Sequence, residues 1–170
     1  MVKHPRYQQG AADDVDLALI RFKVPLSSPR PISLNTVTDE LSKVVTIVGW
    51  GYFGIGTLGR QYADGRMRYA TNRISQSGRY LRFKFDDPRE IVSESLPTEG
   101  MLGLGDSGGP ALVETSAGVR LAGVAVGQLV NVIYDEETQG RYGAIAIYER
   151  AASHLQWIES VINCGECIIE

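Results

Sequence analysis

The chain has 170 residues, 44% of them hydrophobic, with 17 basic and 20 acidic side chains and a formal net charge of −3. That length suits one domain with a sizeable core. No Lys/Arg run gives a footing for nucleic acid or an anionic membrane, and no apolar run approaches the roughly 18 residues of a spanning helix.

Residues 15–22 read as a short apolar strand ending at Lys23-Val24-Pro25. Residues 25–35 hold three prolines and three serines and read as a linker. The β-branched run Val44-Val45-Thr46-Ile47-Val48 marks a strand over 43–50. Residues 51–65 carry five glycines and read as loop. Residues 66–75 and 80–85 read as strands. Leu81-Arg82-Phe83-Lys84-Phe85 keeps nearly strict period two, the mark of a strand with one solvated face. Residues 86–100 are polar and irregular. Strands follow over 110–114 and 119–130, with a turn at Ser116-Ala117-Gly118 between them, and a last strand covers 143–148. Residues 149–162 read as a helix whose Ala151, Leu155, Ile158 and Ile162 form one apolar stripe. Many short strands, glycine-rich turns and one terminal helix predict an all-β antiparallel barrel.

The hexapeptide Gly105-Asp106-Ser107-Gly108-Gly109-Pro110 carries the chemistry. It sets a hydroxyl nucleophile among glycines that allow unusual dihedrals and expose backbone N–H groups, the donors an acyl-transfer oxyanion needs. A glycine-rich turn between two strands is the plain alternative.

The hexapeptide resembles the nucleophile loop of the trypsin/chymotrypsin-like serine proteases. Asp14-Val15-Asp16-Leu17-Ala18-Leu19-Ile20 resembles the segment bearing that family's catalytic aspartate, and Val48-Gly49-Trp50-Gly51 the Gly-Trp-Gly at the entry to its second barrel. The stretch 151–162, with Trp157-Ile158, is similar to its closing helix. The resemblance implies a chymotrypsin-like fold in which the C-terminal barrel is complete and the N-terminal barrel only partial. Residues 1–24 are then a remnant of the first barrel, 25–42 the crossing, 43–148 the second barrel, 149–163 the helix and 164–170 a tail. It implies Ser107 as nucleophile and Asp16 as the residue that orients the base, with Asp13 and Asp14 as neighbours outside the motif. By the same resemblance the N–H groups of Gly105 and Ser107 are expected to form the oxyanion hole, and Asp106 matches the carboxylate that in the family receives a new N-terminal amine on activation. Without that amine it is expected to stay hydrated or find another donor, and its plainer role is a turn-stabilising Asx.

Met101 falls where the base of the specificity pocket lies, a place that basic-specific members fill with aspartate, so a non-basic preference is implied. Gly123-Val124-Ala125-Val126-Gly127 resembles the substrate-pairing strand. Val126-Gly127-Gln128 stands where the family has Ser-Trp-Gly, which makes Val126 and Gln128 further pocket candidates. The catalytic histidine has no counterpart. His4, in Lys3-His4-Pro5-Arg6-Tyr7, matches a His-Pro-x-Tyr stretch shortly before the family's aspartate that is not catalytic. The chain reads as a family member without its N-terminal part, inactive by itself. A binding module of the same fold and a fragment of a longer active protease are the alternatives.

Protein or peptide substrates follow from the resemblance, as does an extracellular or periplasmic location, although the chain opens without an apolar signal region. No cofactor or metal is expected. Cys164-Gly165-Glu166-Cys167 lacks a second pair or a histidine for zinc and a βαβ setting for redox work, so it reads as an exposed tail or a local disulfide. Ser107, Asp135 and His154 follow the chain order of an α/β-hydrolase triad, but Gly108-Gly109-Pro110 would break the helix that fold requires after its serine. His154 therefore reads as a surface or boundary residue.

Overall fold

The computed structural model describes residues 1–10, 13–129 and 139–164. Twelve strands are present among them: β1 (Val2–Lys3), β2 (Ala18–Leu19), β3 (Ser33–Leu34), β4 (Val44–Gly49), β5 (Phe53–Ile55), β6 (Gly59–Tyr62), β7 (Arg68–Arg73), β8 (Gln76–Ser77), β9 (Tyr80–Lys84), β10 (Pro110–Thr115), β11 (Gly118–Leu129) and β12 (Ile145–Arg150). A 3₁₀ turn, Ala151–His154, leads into α1 (Leu155–Asn163).

The main sheet runs in the order β7-β4-β10-β11-β12-β9-β8, with β3 added in parallel to β11. Its alternation is the sequence alternation made physical: Val45 and Ile47 of β4, Leu81 and Phe83 of β9, Val113 of β10 and Tyr148 of β12 all point inward and are buried. Phe83 and Tyr148 stack with ring centres 5.1 Å apart. Burying each large apolar side chain contributes about 1.5–3 kcal/mol. The sheet curls until its ends meet. The Asn72 side-chain amide on β7 donates to Lys84 O of β9 (3.0 Å) and to Gly100 O (2.9 Å), and the Ser75 N–H donates to Arg82 O (2.9 Å).

Apart from this sheet lies a ribbon of β1 and β2, paired antiparallel through Val2 with Leu19 and Lys3 with Ala18. The strand expected over 15–22 is reduced to Ala18–Leu19. A strand persists only where a partner accepts its ladder, and β1 offers two residues. Ile20, Phe22, Val24 and Leu26 beyond it keep the period of two but are 68, 61, 74 and 62% exposed.

Two other expectations change. The loop expected over 51–65 contains the hairpin β5–β6, whose Phe53 and Tyr62 rings meet at 4.3 Å; Gly59 at φ +80° makes the turn. The helix expected from Glu149 begins later. Glu149 and Arg150 remain in β12, pairing with Tyr80 of β9 and Gly123 of β11, because the sheet still has open ladder positions there. The stripe also shifts: Ala151, His154 and Ile158 are buried, whereas Ile162 is exposed.

Candidate active site

The Ser107 loop, residues 101–109, enters β10 through Pro110. Gly105 (φ +90°) and Gly108 (φ +82°) take the left-handed conformations that side chains disfavour. The Gly109 N–H donates to Asp106 O (2.9 Å) and the Gly108 N–H to Ala125 O (2.8 Å), so the loop is pinned against β11. Ser107 is exposed at its apex. Among the described residues neither the Gly105 nor the Ser107 N–H is engaged in a hydrogen bond. Two donors and a hydroxyl thus stand open in one turn.

Asp106 faces the other way. Its Oδ1 accepts the Gly51 N–H (2.7 Å) and its Oδ2 the Gly103 N–H (2.8 Å). Tyr52 N–H completes the contact by donating to Leu104 O (2.8 Å). The carboxylate has found donors in the backbone. Gly49-Trp50-Gly51 is the cradle that allows this. A Cβ at Gly49 would collide with the Asp106 carboxylate, and one at Gly51 would sit 2.7 Å from its Oδ1. Asp106→Ala removes both acceptors and leaves two half-buried N–H groups unpaired. It is expected to cost about 2–3 kcal/mol, read as a lowered urea midpoint at unchanged slope.

Met101 packs on the core and lines a cavity of about 230 Å³ together with Asp106, Gly49, Gly51, Gly103 and Tyr148. Burial, with the nearby Asp106 charge, raises the Tyr148 phenol above its ordinary range. Val126 and Gln128 do not line that cavity. Val126 is the extra residue of a β-bulge between Ala125 and Gly127, opposite Tyr148 and Ile147. Gln128 instead accepts the Gly140 N–H through Oε1 (3.1 Å).

Asp16 lies on the segment before β2, a residue that remains in part open to solvent. Its N–H donates to Glu149 Oε1 (3.2 Å). Burial, then Asp14, then Glu149 raise its carboxyl above the ordinary range. Just before it, Asp14 O accepts from the Tyr80 hydroxyl (3.2 Å) and the Arg79 guanidinium.

His154 is buried, contrary to the surface or boundary position expected for it: the 3₁₀ turn points it inward, where its Nε2 pairs with Glu149 Oε2 (2.9 Å). His4 is buried beside it, with ring centres 5.1 Å apart, and rests on Trp157 at 4.7 Å. Burial, His154 and Arg6 hold the His4 imidazole below its ordinary value, against the pull of Glu149. No hydrogen bond joins either imidazole to Ser107 among the described residues. Glu149 was hidden from sequence reading, since it looked like the first residue of a helix. Asp135 and Cys167 lie outside the described residues. Cys164 is disulfide-bonded. No group of three potential metal ligands occurs among the described residues, and no helix there is long and apolar enough to cross a membrane.

The sequence pattern of the trypsin family matches residues 1–158. Vitamin K-dependent protein C of Mus musculus is 27% identical over 181 residues, an alignment that covers 94% of this chain and 35% of that protein. The chain therefore spans about a third of that relative's length. The solved structure of neuropsin, a serine protease expressed in the limbic system of mouse brain, superimposes with a TM-score of 0.71 at 16% identity, over 95% of this chain and 69% of the other. That likeness is one of fold: a chymotrypsin-like barrel with one C-terminal helix.

Proposed function

The chain belongs to the trypsin family of serine peptidases, and from that premise we propose that it carries the nucleophile, the oxyanion donors and the orienting aspartate of a serine endopeptidase, with the general base supplied from outside these 170 residues. The observation that carries this reading is the turn in which an exposed Ser107 sits beside the open N–H groups of Gly105 and Ser107. In the complete machinery a histidine removes the Ser107 proton as Oγ attacks a peptide carbonyl, and the two N–H groups hold the oxyanion. The histidine then protonates the leaving amine, and water attacks the acyl-enzyme in a second, equivalent step. Asp16 fixes the tautomer by accepting from the other imidazole nitrogen.

Neither histidine of this chain fits that role, because both are buried against Glu149 and Trp157. The uncovered row Ile20, Phe22, Val24 and Leu26 supports a further polypeptide segment or partner chain beside Asp16. With Met101 at the base of the pocket the substrate is a protein or peptide with a non-basic side chain, and the setting is extracellular or periplasmic.

An activated ester such as p-nitrophenyl acetate tests the assignment of the nucleophile. Slow acylation is expected at Ser107, mapped by mass spectrometry, and is lost in Ser107→Ala. Acylation distributed over lysines and equal in both proteins would leave the fold as a binding module.

A further inference from the structure

Asp16 is held by a closed ring of contacts. The Asp16 N–H donates to one oxygen of Glu149, and the other oxygen pairs with His154 Nε2 at 2.9 Å. His154 meets the His4 ring edge-on, and the His4 N–H donates to Leu17 O (2.8 Å), one residue past Asp16. Val15, on the other side, is fully buried, and its N–H donates to Arg6 O (3.1 Å). The ring joins β12, the 3₁₀ turn and the ribbon, which share no sheet.

Glu149 is its unusual member. It is only 1% exposed, and a carboxylate taken out of water costs several kcal/mol unless it is paired and hydrogen-bonded. A neutral glutamine could accept the same backbone N–H. What the charge adds is a field at Asp16. From these contacts we infer that Glu149, clamped by His154, is a positioning residue that fixes the Asp16 segment on the barrel and places a negative neighbour beside the Asp16 carboxylate. The functional sense rests on the proposed role of Asp16; the clamp itself does not. The other charged or titratable groups around the segment are Asp14, Arg6, Arg79, Tyr80 and His4.

The test is NMR on the full chain, reading the exchange of the Asp16 amide proton and the titration of the Asp16 carboxyl carbon. Glu149→Gln is expected to keep the amide protected and to move the carboxyl midpoint to lower pH, because an acceptor remains while a negative neighbour is gone. Glu149→Leu is expected to lower Asp16 amide protection about tenfold or more while the Val113 amide keeps its own. His154→Phe shifts the Asp16 amide in the same direction by releasing the clamp. An Asp16 amide and carboxyl that behave as wild type in Glu149→Gln and His154→Phe would overturn the inference, whether or not Glu149→Leu folds. A purely structural Glu149 would lower the unfolding midpoint and leave the carboxyl titration in place. None of these readings needs turnover, so failure of acylation at Ser107 and failure of the clamp are separate results.

Discussion

Replacing Arg150 by methionine is expected to lower the unfolding free energy by about 3–5 kcal/mol, a large fraction of the stability of a domain this size. Glu40 has no exposed surface. Its carboxylate is met from two directions by the Arg150 guanidinium, through Nε at 3.1 and 3.2 Å and through Nη2. Arg150 Nη1 also donates to Gly78 O (3.2 Å). The pair ties the segment before β4 to the end of β12. Removing the guanidinium strands a charge with no water to receive it. Removing both charges does not, so Glu40→Leu/Arg150→Met is expected to recover most of the loss. Urea unfolding of the single and double variants checks this. A single variant costing under about 1 kcal/mol would show that Glu40 escapes to water or protonates cheaply.

Much of the site is legible in the sequence because each constraint marks the type of the residue that bears it, even where its partner is distant. Gly49, Gly51 and Gly103 each stand where a Cβ would strike a backbone oxygen or the Asp106 carboxylate, so the Gly-Trp-Gly and Gly-Asp-Ser-Gly-Gly patterns are two halves of one contact. The inward alternation of Val45, Ile47, Leu81 and Phe83 is legible for the same reason: a strand's period shows in its own residues. What sequence reading misses is set across the chain. Glu149 is 133 residues from the amide it accepts, and next to an apparent helix start it looks like an ordinary first-turn acid. His154 lies beside the apolar stripe and reads as a boundary residue until the ribbon covers it. Residues 20–26 have the period of a strand, but whether they form one depends on a partner. The hairpin β5–β6 is masked by its own glycines, which suit turns and close backbone approach equally well.

The donors of the Asp106 carboxylate are another such case. The sequence leaves it waiting for a donor; the fold supplies Gly51 and Gly103 from loops about fifty residues apart. The Ser107 loop is therefore anchored from behind by backbone donors. The proposed oxyanion donors are the open N–H groups of Gly105 and Ser107 on that anchored turn. Shape alone does not make Ser107 reactive, because a serine hydroxyl attacks slowly until a base takes its proton.

The most direct measurement is the rate at which a fluorophosphonate probe labels Ser107 in this chain alone, with trypsin run in parallel. A positioned base contributes roughly 10²–10⁴-fold, and both histidines here are buried in the ring around Glu149. Labelling confined to Ser107 but at least about a hundredfold slower than trypsin is the expected result. Labelling at the rate of trypsin would contradict the account, since it would mean that a base within these residues already reaches Ser107.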